Sequence, residues 1–266
     1  MKRKAIIIGS PLVKGQKGYL PGVEKDVNNY FKFLTSCEGG QWFPEEIYYW
    51  ENPSDSDLYS YLSGCKDADI CYVIFSGHGF VNSQNRTYLM INKNQNIFYE
   101  NLYTFAKRQI TIIDACRFPI KGIERGNFSG IGDINEGLNY SRNTYFRQFY
   151  NNIVSNLPYG KATIFSASIG QYSSDISTLG GWFSYNLIDK AKSLSQNPNL
   201  LDTYFSLNEM FDVIQNYMKN NTYKDNPQIP QGITYGNNQI KDLPFVLHYY
   251  NVQNYFINKQ RRNFFL

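Results

Sequence analysis

Five short apolar runs, each ending at a glycine or a polar residue and spaced by segments of helical periodicity, constrain this chain most. They cover residues 4–9, 46–51, 69–75, 109–114 and 161–168. Strand-like runs alternating with helical patterns predict βαβ units, and so an α/β fold with a mainly parallel sheet. Helices are expected over 22–34, where Val23, Val27, Tyr30, Phe31 and Leu34 share a face, after a cap at Ser54 or Asp55, and over 97–107, 180–194 and 206–220. A hairpin-like segment is expected at 87–92 and a final short strand at 242–250, whereas Phe118 to about Gly160 reads as a long irregular loop. A loop of that size inside a compact domain is usually functional. With 266 residues, no internal repeat and no convincing linker, the chain is expected to form one domain, residues 1–266.

The third and fourth runs carry the chemistry. Residues 69–79 deliver His78 between Gly77 and Gly79, and residues 108–117 deliver Cys116 just past an apolar stretch. Open α/β sheets bind ligands outside the carboxyl ends of their strands. A thiol beside an imidazole is the minimal equipment for a cysteine nucleophile, because the base withdraws the proton and the thiolate attacks. Taken singly, His78 could be a buried histidine hydrogen-bonded at a strand end, and Cys116 a small core hydrophobe. Their equivalent positions at two strand ends favour a dyad. His248, in a tyrosine-rich terminal segment, and Cys37, Cys65 and Cys71 lack such surroundings and read as structural.

Composition narrows the partners. A net charge of +4 is weak and dispersed, and the one compact basic run, Lys259 to Arg262, reads as a solvated tail, so no nucleic acid is expected. The first apolar run is too short for a signal-peptide core, and no stretch approaches the length of a membrane span. A cytoplasmic location without membrane contact is therefore expected, with reduced thiols rather than disulfides. The cysteines lack the paired spacing of a zinc site, and neither metal nor cofactor is expected.

Ser76-Gly77-His78-Gly79 followed by Asp114-Ala115-Cys116-Arg117 resembles the signature of caspase-fold cysteine peptidases of the metacaspase and orthocaspase branch. Leu20-Pro21-Gly22 with Asp26 is similar to the element that opens that family's first helix. Residues 166–175 and 180–187 resemble the stretch after its fifth strand, and Asp242 to Leu247 falls where its closing strand stands. The resemblance implies a caspase-like three-layer α/β/α sandwich, with a large-subunit-like part over 1–117 and a small-subunit-like part over 161–266. It implies His78 as general acid and base, Cys116 as nucleophile, and an oxyanion hole from the backbone N–H groups of Gly79 and Cys116. Such donors are typically worth about 3–4 kcal/mol each in the transition state. No third catalytic member is obvious.

The same resemblance implies a specificity pocket. True caspases carry Gln-Ala-Cys and take aspartate; this chain has Asp114 instead, and Asp114, Asp26 and Ser76 match an acidic pocket, with Asp175 a further candidate. Converging carboxylates select a cation, so cleavage after Arg or Lys is expected. Calcium-dependent relatives use an acidic cluster near the long loop; Asp133 and Glu136 stand there separated by other residue types, so calcium dependence is not expected. Lys121, Arg125, Arg142 and Arg147 would suit self-cleavage in a loop that is otherwise a lid. The implied function is a latent endopeptidase awaiting a small-molecule or protein activator, in bacteria a stress or antiphage effector. The alternatives are a catalytically silent scaffold and a ligand-binding α/β module; the latter lacks a phosphate-binding glycine motif after the first strand.

Overall fold

The computed structural model describes residues 1–119, 144–221, 227–236 and 238–263. In chain order the strands are β1 (Arg3–Ser10), β2 (Ile47–Glu51), β3 (Ile70–Gly77), β4 (Gly79–Val81), β5 (Thr87–Met90), β6 (Asn96–Phe98), β7 (Arg108–Asp114) and β8 (Gly160–Phe165). They continue with β9 (Asp175–Ile176), β10 (Gly180–Gly181), β11 (Tyr204–Ser206), β12 (Gln231–Gly236) and β13 (Pro244–Leu247). The helices are α1 (Val23–Thr35), α2 (Asp55–Ser63), α3 (Tyr145–Ser155), α4 (Trp182–Ser195), α5 (Leu207–Asn220) and α6 (Tyr249–Asn263).

The central sheet runs β12-β8-β7-β3-β1-β2, parallel except for the antiparallel edge strand β12. Every residue of β3 and β7 is buried, as expected of central parallel strands covered on both faces. Alternation sorts the side chains. Ile7, Tyr72, Ile74, Ile110 and Ile112 face a core built with α1, α3, α4, α5 and α6. Ile6, Ile8, Val73, Phe75 and Ile113 face the opposite core, which holds α2 and the small antiparallel sheet β4-β5-β6. The result is a three-layer α/β/α sandwich whose second outer layer is one helix plus a three-stranded sheet.

Local chemistry explains the boundaries. The Ser54 hydroxyl accepts from the Asp57 amide at 3.2 Å and so caps α2, and Ser206 with Glu209 forms a capping box on α5. Buried His248 accepts from the Asn251 amide through Nδ1 (3.2 Å), which caps α6, and bonds the Asn197 carbonyl through Nε2 (2.8 Å). Its role is structural.

Several expectations are corrected. Residues 97–107 are not a helix: Asn96–Phe98 pairs as β6, a short 3-10 turn covers Tyr99–Leu102, and no helix follows before β7. The cause is the buried Gln109, whose amide oxygen takes the Thr104 N–H (2.7 Å) and whose amide nitrogen donates to the Leu102 carbonyl (2.9 Å). Those backbone groups are thereby removed from any helical ladder. The stretch 118–160 is not all loop, because α3 packs Phe146, Tyr150 and Val154 on the core. Arg147 sits in that helix, paired with Glu46 at 2.6 Å and set over Phe43, so it is no accessible cleavage point. Lys121, Arg125, Asp133, Glu136 and Arg142 lie outside the described residues. The terminal strand shortens to Pro244–Leu247, and helical backbone runs from Tyr249 to Asn263 through the basic run. Strand β12 had no sequence expectation.

Candidate active site

Strand register assembles the site. Ser76, near the end of β3, is paired with Asp114, the last residue of the adjacent β7. Two residues further along each chain come His78 and Cys116, so the ladder delivers both to the same carboxyl edge. They line one cavity of about 80 Å³ together with Asp26, Ser76, Asp114, Ser173 and Asp175. Both are partly exposed, while Asp26, Ser76 and Asp114 are buried.

The His78 ring is held by backbone. Its Nε2 lies 2.5 Å from the carbonyl oxygen of Gly18. A carbonyl only accepts, so Nε2 carries the proton and Nδ1 keeps the basic lone pair. Gly18 therefore serves as the orienting group that sequence reading did not find. A backbone carbonyl leaves no residue-type signature.

The Cys116 sulfur is bonded to one residue from both sides. The Ser173 amide donates to Sγ at 3.3 Å, and the thiol lies 3.5 Å from the Ser173 carbonyl oxygen. Burial pushes the thiol above its ordinary value; the Ser173 amide opposes that shift, and the Asp114 charge adds to it. The sulfur thus rests as a thiol and needs a base to attack. Gly79 lies hard against the Cys116 backbone, since a Cβ there would sit 2.7 Å from the Cys116 carbonyl oxygen.

The acidic recess is built from several elements. Asp26 occupies the buried stripe of α1, between Val23 and Val27. It accepts from the Ser76 hydroxyl (2.5 Å) and the Gly181 amide (2.8 Å). Asp114 accepts from the Ser173 hydroxyl (2.5 Å) and from both the amide (3.0 Å) and hydroxyl (2.7 Å) of Ser184. Gly181 and Ser184 belong to the start of α4, whose N-terminal dipole favours negative charge there. Gly181 must be glycine, because a Cβ would overlap the Asp114 carboxylate. The β9–β10 hairpin pairs Asp175 with Gly181, and the Asp175 carboxylate accepts from the Gly22 amide at 3.2 Å.

Like charges packed this closely cannot all remain ionised. Burial, then the Asp114 carboxylate, hold Asp26 well above the usual carboxylate range. Asp175 is raised as well, chiefly by burial. The recess is therefore primed to gain stability from an incoming cation. Among the described residues no group of three or more His, Cys, Asp or Glu could hold a metal ion, and no helix is long and apolar enough to cross a membrane.

The structure brings together every site residue expected from sequence: His78, Gly79, Cys116, Asp26, Ser76, Asp114 and Asp175. It adds Gly18, Ser173 and Ser184. Ser173 stands in a run of small polar residues, where nothing in the sequence singles it out.

Fold and site together define a class: an α/β protein with an imidazole and a thiol at the carboxyl edge of its sheet. A family model for the caspase domain (peptidase C14) matches residues 2–235, and the chain belongs to that family of cysteine peptidases. Among solved structures, caspase-1 from Spodoptera frugiperda is similar with a TM-score of 0.58 and 15% identity, over 87% of this chain and 86% of that one. That likeness shows the fold. A comparison with curated proteins returned no match.

Proposed function

We propose that the protein is a cysteine endopeptidase that uses His78 and Cys116 and cleaves after Arg or Lys. One observation carries this reading: the cavity that exposes the imidazole and thiol is floored by the carboxylates of Asp26 and Asp114. His78, oriented through Nε2 by Gly18, takes the Cys116 proton at Nδ1. The thiolate adds to the scissile carbonyl, and the backbone amides of Gly79 and Cys116 receive the developing oxyanion. The imidazolium then gives its proton to the leaving amine, and water activated by the same imidazole releases the acyl group. A guanidinium or ammonium in the recess meets Asp26, Asp114 and Asp175, whereas an acidic side chain would be repelled.

Latency until a small-molecule or protein activator or a processing event acts on the site rests on the family resemblance. A place in stress or phage defence rests on the family resemblance alone.

The test is cleavage of fluorogenic peptides with Arg or Lys before the scissile bond. Cys116→Ala should abolish turnover. Activity surviving that change sinks the nucleophile assignment, and a preference for Asp peptides sinks the pocket.

A further inference from the structure

We propose that Ser173 is a positioning residue that aims the Cys116 sulfur by anchoring on the acidic recess, a role that deepens the peptidase reading above. Its hydroxyl is saturated: it donates to Asp114 Oδ1 at 2.5 Å and accepts from the Ser166 hydroxyl (3.0 Å) and Gln228 Nε2 (2.9 Å). Gln228 is itself buried, and its amide oxygen accepts from the Ser174 amide at 3.0 Å. The peptide at 173 is therefore held on both sides of its Cα, with its N–H fixed 3.3 Å from Cys116 Sγ.

The geometry gives Ser173 two jobs through one set of atoms. The side chain braces the specificity carboxylate, and the main chain presents a donor to the nucleophile. An N–H aimed at sulfur favours the thiolate over the thiol. Once the peptide wanders, that donor is lost while the recess charges remain. The charged and titratable groups facing the thiol are Asp114 from β7, Asp175 from β9, Asp26 from α1 and His78 after β3. None of these residues is replaced in a Ser173 variant, but Asp114 loses the Ser173 hydroxyl there; Gln228→Leu leaves that bond in place, so a thiol shift shared by the two variants reports the brace.

The experiment is the pH dependence of Cys116 alkylation by iodoacetamide, read by mass spectrometry of the Cys116 peptide, in the wild type, Ser173→Ala and Ser173→Thr. In the alanine variant the midpoint should rise by about one pH unit, with alkylation near pH 7 several-fold slower. Threonine, which keeps the hydroxyl, should restore the profile. On an Arg peptide the alanine variant should lose kcat by about tenfold with KM changed less. Should Ser173→Ala fail to fold, Gln228→Leu removes one donor from the same hydroxyl and should shift the midpoint the same way. A folded Ser173→Ala or Gln228→Leu that superimposes on wild type overturns the proposal, as does a folded threonine variant that stays shifted. Alkylation needs no proteolysis: a shifted midpoint in a protein that cleaves no basic peptide, with or without divalent ions and cell extract as sources of an activator, sinks the peptidase reading and leaves the brace standing. Cleavage with an unshifted midpoint does the reverse.

Discussion

Asp26 is a carboxylate on the apolar stripe of a helix, 1% exposed, bonded by one hydroxyl and one amide and with no cation in reach among the described residues. Such burial costs several kcal/mol unless the charge is compensated or the group stays protonated. Its folded value lies above the unfolded one, so the fold binds more protons than the unfolded chain. Stability is then fully present below about pH 4 and declines as pH rises from there toward the raised value. Asp26→Asn keeps the shape and removes that penalty. We expect the variant to melt higher than wild type at pH 7.5, by about 2–4 °C for each kcal/mol recovered, with the gain vanishing near pH 4. Activity on Arg peptides should fall by roughly 10²-fold in kcat/KM, since one of the three carboxylates that would meet the cation is gone. Calorimetry across pH together with peptide kinetics checks both, and a lower melting temperature at pH 7.5 would count against the electrostatic account. Binding of a small amidine should likewise weaken as pH falls, because the cation requires Asp26 ionised. At this scale the sequence showed what residue type can reveal. Three carboxylates, a serine, a histidine and a cysteine announce themselves, whereas the Gly18 carbonyl and the Ser173 amide act through backbone atoms that every residue owns.

Two connecting elements set how well those side chains are held. The loop entering α1 places Gly18 at φ +90°, a left-handed conformation that glycine adopts freely and an L side chain does not. Gly18→Ala should strain that turn by about 1–2 kcal/mol and move its carbonyl off His78. Steady-state kinetics should show kcat reduced about tenfold with KM little changed; an equal kcat would mean the carbonyl does not orient the ring. On the other flank, buried Arg117 joins three elements, donating to Thr87 Oγ1 (3.0 Å), the Ala167 carbonyl (3.2 Å) and the Gln231 side chain (2.5 Å), with its guanidinium 4.0 Å from the Phe165 ring. Burial lowers its pKa to about 10. Lysine cannot reproduce a planar fork, so Arg117→Lys should lower the melting temperature and slow turnover together. Legibility at this level followed packing. Strands β1, β3, β7 and β8 are buried apolar runs and were readable. Helix α3 carries its stripe on Phe146, Tyr150 and Val154 among asparagines and further aromatics, weak helix formers that mask the period. Strand β12 holds two glycines and lies at an edge, so neither propensity nor an apolar run marked it.

At the scale of the molecule, the halves before and after residues 120–143 share one sheet and one core. Strand β8, from the later half, pairs with β7 over six positions, from Arg108↔Gly160 to Ile113↔Phe165. The first core unites α1 with α3, α4, α5 and α6, so α1 from the earlier half is buried against helices of the later one. The recess is divided too: Asp26, His78, Asp114 and Cys116 come from one side of the gap, Ser173, Asp175 and Gly181 from the other. Severing the backbone between Pro119 and Thr144 therefore removes no strand pair and no core contact among the described residues. A protease recognition sequence inserted there and cut to completion should yield two fragments that co-elute on gel filtration as one particle of the uncut size. They should separate only in denaturant and melt in a single transition. Fragments that part under native conditions would show that chain connectivity, rather than the shared sheet, holds the site together. An intact cut particle would also retain Cys116 alkylation with an unchanged pH profile, because every group bonded to the sulfur remains on the shared sheet edge.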